Sequence, residues 1–436
     1  MRNRSLPVVV GSVCAALALS ACGGSPAADG AEAPETASET SGAGLEGMTL
    51  TVLSQWTPSS PQFAVQEAFI ADLEAETGMK VELATAGDDL KKQFETATLG
   101  GKAPDVVITN LVEEATGWLG TGATVDVAPF MAEWGLADSL RADAVSEWAD
   151  AEGRVQGLPY LGFVWPVWYN TSLLEAAGVT EIPSTTDDLL DAAAKLNAEG
   201  IAPFVVGGSD WSGNKLFLQI VQGRVQPEEM QRLLGEGGWC ASADAMAGIE
   251  DFTALRDGGL FVQDVEGYTG DQMNSTFYEG GAAMMSAGSW AFPGVPDGLE
   301  VELGGFPIPN DGSAYVKPTA MQGNTASGVF ISTSGASDNL DAVRAFVIKM
   351  FEPQVAAAMA EVGSYTTPVR SDEPIEFENA LLAAAINDLP AKVDFAVMPD
   401  GFIPGASSEA LIRQTASAYA PGVAPEAICM GLDSAY

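Results

Sequence analysis

Apolar and polar residues alternate along Met48-Thr49-Leu50-Thr51-Val52-Leu53, the two-residue period of a strand with one buried face. The period then changes. Residues 61–77 carry apolar side chains at helical spacing and stop at Gly78, a residue suited to the left-handed turn that ends helices. A strand follows at 80–83, then a helix at 88–99 ended by Gly100-Gly101, then a short buried strand at 104–109 with a polar exit. Further along, the pattern predicts strands at 163–169 and 282–285 and helices at 185–198 and 241–257. Strands alternating with helices predict an α/β fold with parallel pairing through right-handed crossovers. Residues 48–436 exceed one ordinary domain, so two α/β lobes fit better than one enlarged sheet.

The first residues follow a different pattern. An apolar run at 6–21 sits behind Arg2 and Arg4 and is too short for the roughly 20 residues that span a bilayer. It ends in Leu19-Ser20-Ala21-Cys22, which reads as a bacterial lipoprotein processing site: small residues at the cut, then a thiol for lipid attachment. Residues 1–21 are therefore expected to be a removed signal and Cys22 a lipidated terminus; the alternative is an ordinary secretory signal ending near a cysteine. Residues 22–47, rich in Ala, Glu, Thr, Ser and Gly, have little to bury and are expected to be a flexible tether.

Charge narrows the partners. The chain has 59 acidic and 19 basic residues, a formal charge of −40, and loss of Arg2 and Arg4 with the signal makes the remainder more acidic still. Nucleic acid is excluded as a partner, and an anionic lipid surface repels such a body, so only the lipid on Cys22 would hold it at a membrane. With Cys14 in the signal and Cys22 lipidated, Cys240 and Cys429 remain for the folded part; an oxidising compartment favours one disulfide between them over two separately buried thiols. The chain has no histidine. No Ser-His-Asp or Cys-His nucleophile, HExxH zinc site or histidine base can be built, and neither cofactor nor metal is expected.

Other motifs carry little. Gly42-Ala43-Gly44-Leu45-Glu46-Gly47 matches GxGxxG but precedes a strand, whereas a dinucleotide loop follows one. Gly100-Gly101-Lys102 lacks the rest of a phosphate loop, and Asp187-Asp188 complements a helix start. Paired carboxylates for glycoside hydrolysis stay open on composition alone.

Aromatic and amide residues gather at predicted strand ends, where ligands enter α/β lobes. Gln55-Trp56 ends the first strand and Asn110 the third; Phe163 and Trp165 lie on the central strand; Asp210-Trp211 follows Phe204-Val205-Val206, and Trp290 follows the strand at 282–285. Each tryptophan alone also fits core packing. Together they suit a sugar, whose C–H face stacks on indole and whose hydroxyls both donate and accept hydrogen bonds.

An ordered set of short segments extends this: Glu76-Thr77-Gly78-Met79-Lys80-Val81, Gly101-Lys102-Ala103-Pro104-Asp105-Val106, Gly157-Leu158-Pro159-Tyr160, Trp168-Tyr169-Asn170, Phe277-Tyr278-Glu279-Gly280-Gly281-Ala282-Ala283-Met284-Met285 before Gly288-Ser289-Trp290, and Gly305-Phe306-Pro307-Ile308-Pro309 before a helix at 340–351. With the lipoprotein start, the chain from Met48 to about Arg370 resembles the extracellular solute-binding proteins that deliver sugars to ATP-binding-cassette (ABC) importers, the group that includes maltose-binding protein. It departs from them at Ile182-Pro183-Ser184-Thr185-Thr186, which has threonine where the family usually has tryptophan.

The resemblance implies a non-enzymatic, two-lobed periplasmic-binding-protein-like clamp with a ligand cleft between lobes. Its chain would cross near 162–165, 304–309 and 351–353, giving lobe 1 as 48–164 and 305–352 and lobe 2 as 165–304 and 353–436. Carried onto this sequence, Trp56, Asn110 and Glu113 would face the cleft from lobe 1, Asp210, Trp211 and Trp290 from lobe 2, and Phe163 and Trp165 would lie at the hinge. Gln55, Asn324, Arg370 and Glu409 are further candidates near the cleft. The implied product is a monomeric, lipid-anchored receptor on the extracytoplasmic face, partnered by a sugar and a permease. The alternatives are a secreted glycan hydrolase using paired carboxylates, and a receptor for a non-sugar solute or a ligand-loaded docking partner for a sensor.

Overall fold

The computed structural model describes residues 44–436 apart from 111–114, 116, 151 and 372–375. The expected signal at 1–21, Cys22, residues 22–43 of the tether and the candidate Glu113 lie outside the described residues; residues 44–47, expected to end the tether, instead turn back onto the first core, where Leu45 is buried and Gly47 N–H donates to Gly78 O at 3.1 Å.

Among the described residues ten strands form two sheets: β1 (Thr49–Ser54), β2 (Lys80–Thr85), β3 (Val106–Thr109), β4 (Leu158–Trp165), β5 (Val167–Asn170), β6 (Phe204–Val205), β7 (Met284–Ser286), β8 (Val301–Gly304), β9 (Thr319–Ile331) and β10 (Asp394–Ala396). The first sheet runs β10-β9-β3-β1-β2, with β4 also on β9; the second runs β6-β7-β5-β8. As the helix-strand alternation predicts, β1 pairs parallel with β2 and β3. Pairing is not parallel throughout: β9 runs antiparallel to both β3 and β4, and β5 to both β7 and β8. β4 carries the chain out of the first sheet and β9 brings it back, so the two pass in opposite senses. The single strand expected at 163–169 divides at Pro166, which has no N–H for a ladder; β4 ends in one sheet and β5 begins in the other.

Each sheet anchors its own core. Leu50, Val52, Val106, Ile108, Phe163, Trp165 and Phe330 belong to the first, and Val167, Trp168, Phe204, Phe217, Phe252 and Met285 to the second. The helix Trp211–Gln222 runs through the second core with residues 212–222 all buried. The chain passes from one sheet to the other at Pro166 and again between β8 and β9, where the sequence reading places crossings near 162–165 and 304–309. Beyond them the path differs: Ala356, Met359 and Ala360 of the helix Pro353–Gly363, with Val369, stay in the first core, whereas Leu382 and Leu411 are in the second. A switch at 351–353 would strand that helix's apolar face. Cys240 and Cys429 are bridged, with Cα atoms 5.1 Å apart, inside the second lobe.

Helix ends follow local chemistry. Gly78, at φ 72°, closes the helix Gln62–Thr77 by donating its N–H to Glu74 O. Thr185 and Asp188 form a capping box on the helix Thr186–Ala198. The Thr185 hydroxyl beside it holds the Asp188 carboxyl below the usual carboxylate range. Because that shift is downward, the carboxylate's share of the cap is present above the ordinary carboxylate pKa and fades as pH falls through the lowered one, whereas the bond from Asp188 N–H to Thr185 Oγ1 does not titrate. Thr185→Ala should cost about 1 kcal/mol at neutral pH and somewhat less in strong acid, where that bond alone is left to lose; urea unfolding at the two pH values measures both, and an equal loss would refute the carboxylate's share.

Candidate functional site

The pleat of β4 sends Phe163 and Trp165 to one side of the crossing strand, and both line a cleft of about 400 Å³. Trp165 is 1% exposed, and its Nε1 donates to Ser286 Oγ on β7 at 2.8 Å, tying the crossing strand to the second sheet. Trp290 enters from the short turn Ser289–Gly294 after β7. A Cβ on Gly288 would collide with the Trp290 ring, so only glycine there lets the indole fold back over its own backbone. Trp211 opens the helix Trp211–Gln222, and Lys215, four residues on, lies on the same face. Lys215 forms an ion pair with Asp400, which follows β10; their side chains are 7% and 12% exposed. Tyr365 follows Ser364, a non-glycine residue at φ 52° that turns the chain out of the helix Pro353–Gly363. Burial pushes the Tyr365 hydroxyl up to about 12, so it keeps its proton at neutral pH and can donate. Asn110 and Ala326 complete the described lining.

The aromatic rings form one connected group. Trp290 meets Phe163 and Trp165 edge-on at 5.2 Å each, lies 6.0 Å from Trp211 with the planes at 50°, and stacks on Tyr365 at 6.4 Å and 30°. It packs against both cores, so the two lobes meet at this residue. Trp211 is 43% exposed, a large apolar face open at the rim. The cleft therefore offers aromatic faces for a C–H surface, an amide, a phenol and a mutually neutralised charge pair. Among the described residues no group of His, Cys, Asp and Glu could hold a metal.

Of the residues inferred from sequence, Asn110, Phe163, Trp165, Trp211 and Trp290 line this cleft, and Gln55 and Trp56 line an adjoining compartment. Four others do different work. Asp210 caps its helix, accepting from Ser212 N at 2.9 Å, while its second oxygen accepts from Gly270 N at 2.6 Å; it fastens two helix starts and so positions Trp211 rather than facing the cleft. Asn324 is 2% exposed and fully engaged. Its backbone N–H and its Nδ2 donate to the two Glu147 carboxylate oxygens at 2.7 Å each, Arg141 donates to its Oδ1, and Trp148 Nε1 donates to its carbonyl at 2.7 Å. Burial raises the Glu147 carboxyl above its usual range despite those Asn324 hydrogen bonds. Arg370 is exposed and joins the first lobe through its backbone N–H to Ser139 O at 2.8 Å. Glu409 is 90% exposed and pairs with Arg413 one helical turn away.

Sequence reasoning missed Lys215, Asp400, Tyr365 and Ala326. The four-residue spacing from Trp211 to Lys215 was a usable signal once 211 was placed on a helix. Asp400 and Tyr365 sit in short turns with no local motif, and only the assembled fold brings them to the cleft.

The model of the bacterial extracellular solute-binding protein family matches residues 58–357. No curated protein matches the chain. Among solved structures, a probable secreted solute-binding lipoprotein from Streptomyces coelicolor is 36% identical, with a TM-score of 0.82 over 89% of this chain and 98% of that one. A chitin oligosaccharide binding protein (22% identity, TM-score 0.73, 89% and 98% covered) and RafE in complex with raffinose (18%, 0.66, 89% and 98%) share the fold. The chain, a two-lobed α/β clamp with an aromatic cleft between its cores, thus belongs to the bacterial extracellular solute-binding protein family.

Proposed function

We propose that this protein captures a sugar in the cleft between its lobes and delivers it to the permease of an ABC importer, held at the membrane by lipid on Cys22. The observation that carries the reading is the joint lining: Trp211, Trp290 and Tyr365, backed by the buried Trp165, beside Asn110 and the Lys215–Asp400 pair, drawn from both lobes. Stacking faces beside paired donors and acceptors match a pyranose ring, and a ligand touching both lobes stabilises the arrangement in which they meet. Structural relatives that bind chitin oligosaccharide and raffinose support the same class. Hydrolysis needs two carboxylates flanking a glycosidic bond; among the described lining residues Asp400 is the one carboxylate, and it is paired with Lys215.

A thermal-shift and calorimetric panel of neutral sugars tests the reading. Ligand at 100 times its Kd should stabilise the protein by about 2.7 kcal/mol and be recovered intact. Binding of no sugar, or release of shorter products, would overturn it.

The anchor is tested separately. Among the described residues no helix is long and apolar enough to cross a membrane, and the lipoprotein relative from Streptomyces coelicolor supports lipid attachment. Cys22→Ser should move the protein from the membrane fraction to the soluble fraction on cell fractionation; unchanged retention would refute the lipid anchor.

A further inference from the structure

The aromatic cleft has a neighbour of similar size and different chemistry. A second compartment of about 420 Å³ lies beyond the end of β1, lined by Gln55, Thr57, Ser59, Ser60 and Gln62 with Trp56 among them. Asn110 and Tyr365 line both compartments, so the two adjoin at that shared wall. Each alone falls within the roughly 300–1,000 Å³ of a small-molecule site.

The two halves ask for different parts of a ligand. The first presents indole faces, with Trp211 and Trp290 inclined at 50°, as a platform for the apolar face of a ring. The second presents hydroxyls and amides, groups that both donate and accept. Several are preset by the turn itself: Thr57 N donates to Ser60 Oγ at 3.1 Å, and the Thr57 and Ser59 hydroxyls lie 2.8 Å apart. No charged residue lines the second compartment among the described residues, and in the first the Lys215 and Asp400 charges answer each other. A single sugar ring would fill one half and leave the other to water.

We infer that the ligand is an oligosaccharide of two or more rings, one stacked on Trp211 and Trp290 and the next passing Asn110 and Tyr365 into the hydroxyl-lined compartment formed by residues 55–62. This rests on the sugar-binding reading and adds ligand length and direction to it. Asn110 and Tyr365, at the join, would contact the linkage between the two rings.

The test uses calorimetry on the whole folded protein with a homologous series of one, two and three rings of whichever sugar the thermal-shift panel identifies, together with the variants Ser59→Trp and Ser59→Ala. Ser59 is exposed on the compartment wall, so a bulky ring there fills the space without entering either core. The two-ring ligand should bind at least tenfold tighter than the single ring. Ser59→Trp should weaken two- and three-ring ligands at least tenfold and leave the single ring within about twofold, with Ser59→Ala, which removes one hydroxyl of the wall without filling the space, weakening only the longer ligands and by less than Ser59→Trp. A single ring binding as tightly as its longer homologues, or Ser59→Trp weakening every ligand equally, would overturn the inference while leaving sugar binding intact. Binding of no sugar at all would instead remove the reading on which it rests.

Discussion

Replacing Trp290 by alanine is expected to weaken sugar binding by about 1.5–3 kcal/mol, the scale of one buried aromatic contact, or about ten- to 150-fold in Kd. The ring is only partly buried and leans on Phe163, Trp165, Trp211 and Tyr365 without being enclosed in either core. Its removal should therefore leave the fold nearly as stable. Trp165 supplies the contrast. It is 1% exposed and hydrogen-bonded to Ser286, so Trp165→Ala should open a cavity and cost about 3–5 kcal/mol of stability. Measuring calorimetric affinity and unfolding midpoint on both variants separates platform from core. Lost stability with unchanged affinity in Trp290→Ala would sink the stacking role.

Breaking the Cys240–Cys429 bridge is expected to cost about 2–5 kcal/mol, because it releases a closed loop far longer than those that give the smaller effects. The bonded residues are 189 positions apart, and the bridge pins the turn Trp239–Ala241 to the helix Pro425–Asp433. Asp433 reinforces the same junction, its carboxylate accepting the N–H groups of Gly238, Trp239 and Cys240 at 2.8, 2.6 and 3.2 Å. Those bonds survive reduction, so the helix should stay docked and ligand affinity should be unchanged while the denaturation midpoint falls. Equal midpoints for the parent and the double variant Cys240→Ala/Cys429→Ala would show that the crosslink contributes nothing.

How far the sequence reaches can be judged from particular elements. The helix at 62–77 and the strand at 80–85 each have one buried face, and the strand at 49–54 alternates over its first four residues before both faces are covered, so the spacing of apolar positions makes all three legible. β9 carries no such signal. Thr319-Ala320-Met321-Gln322-Gly323-Asn324-Thr325 reads as a polar loop, yet twelve of the strand's thirteen residues are buried, because β3, β4 and β10 flank it and helices cover its faces. A strand enclosed on every side has no solvent face for its polar residues to mark. Nor does the sequence show that the Asn324 amide is consumed by Glu147 and Arg141, partners that lie 177 and 183 residues away in the chain.

The sequence by itself determined the α/β class, the two-lobe organisation, the family resemblance and the tryptophans at strand ends, since these follow from local periodicity, length and short segments in order. Only the tertiary structure decided which of those side chains share a cleft. Trp290 meets Tyr365, and Lys215 meets Asp400, because two sheets joined at Pro166 bring remote turns together. The same packing assigned Asp210 to a helix cap and Glu409 to the surface. A side chain's residue type is local, but its partners are set by the packing of elements far apart in sequence, and contact rather than type decides what it does.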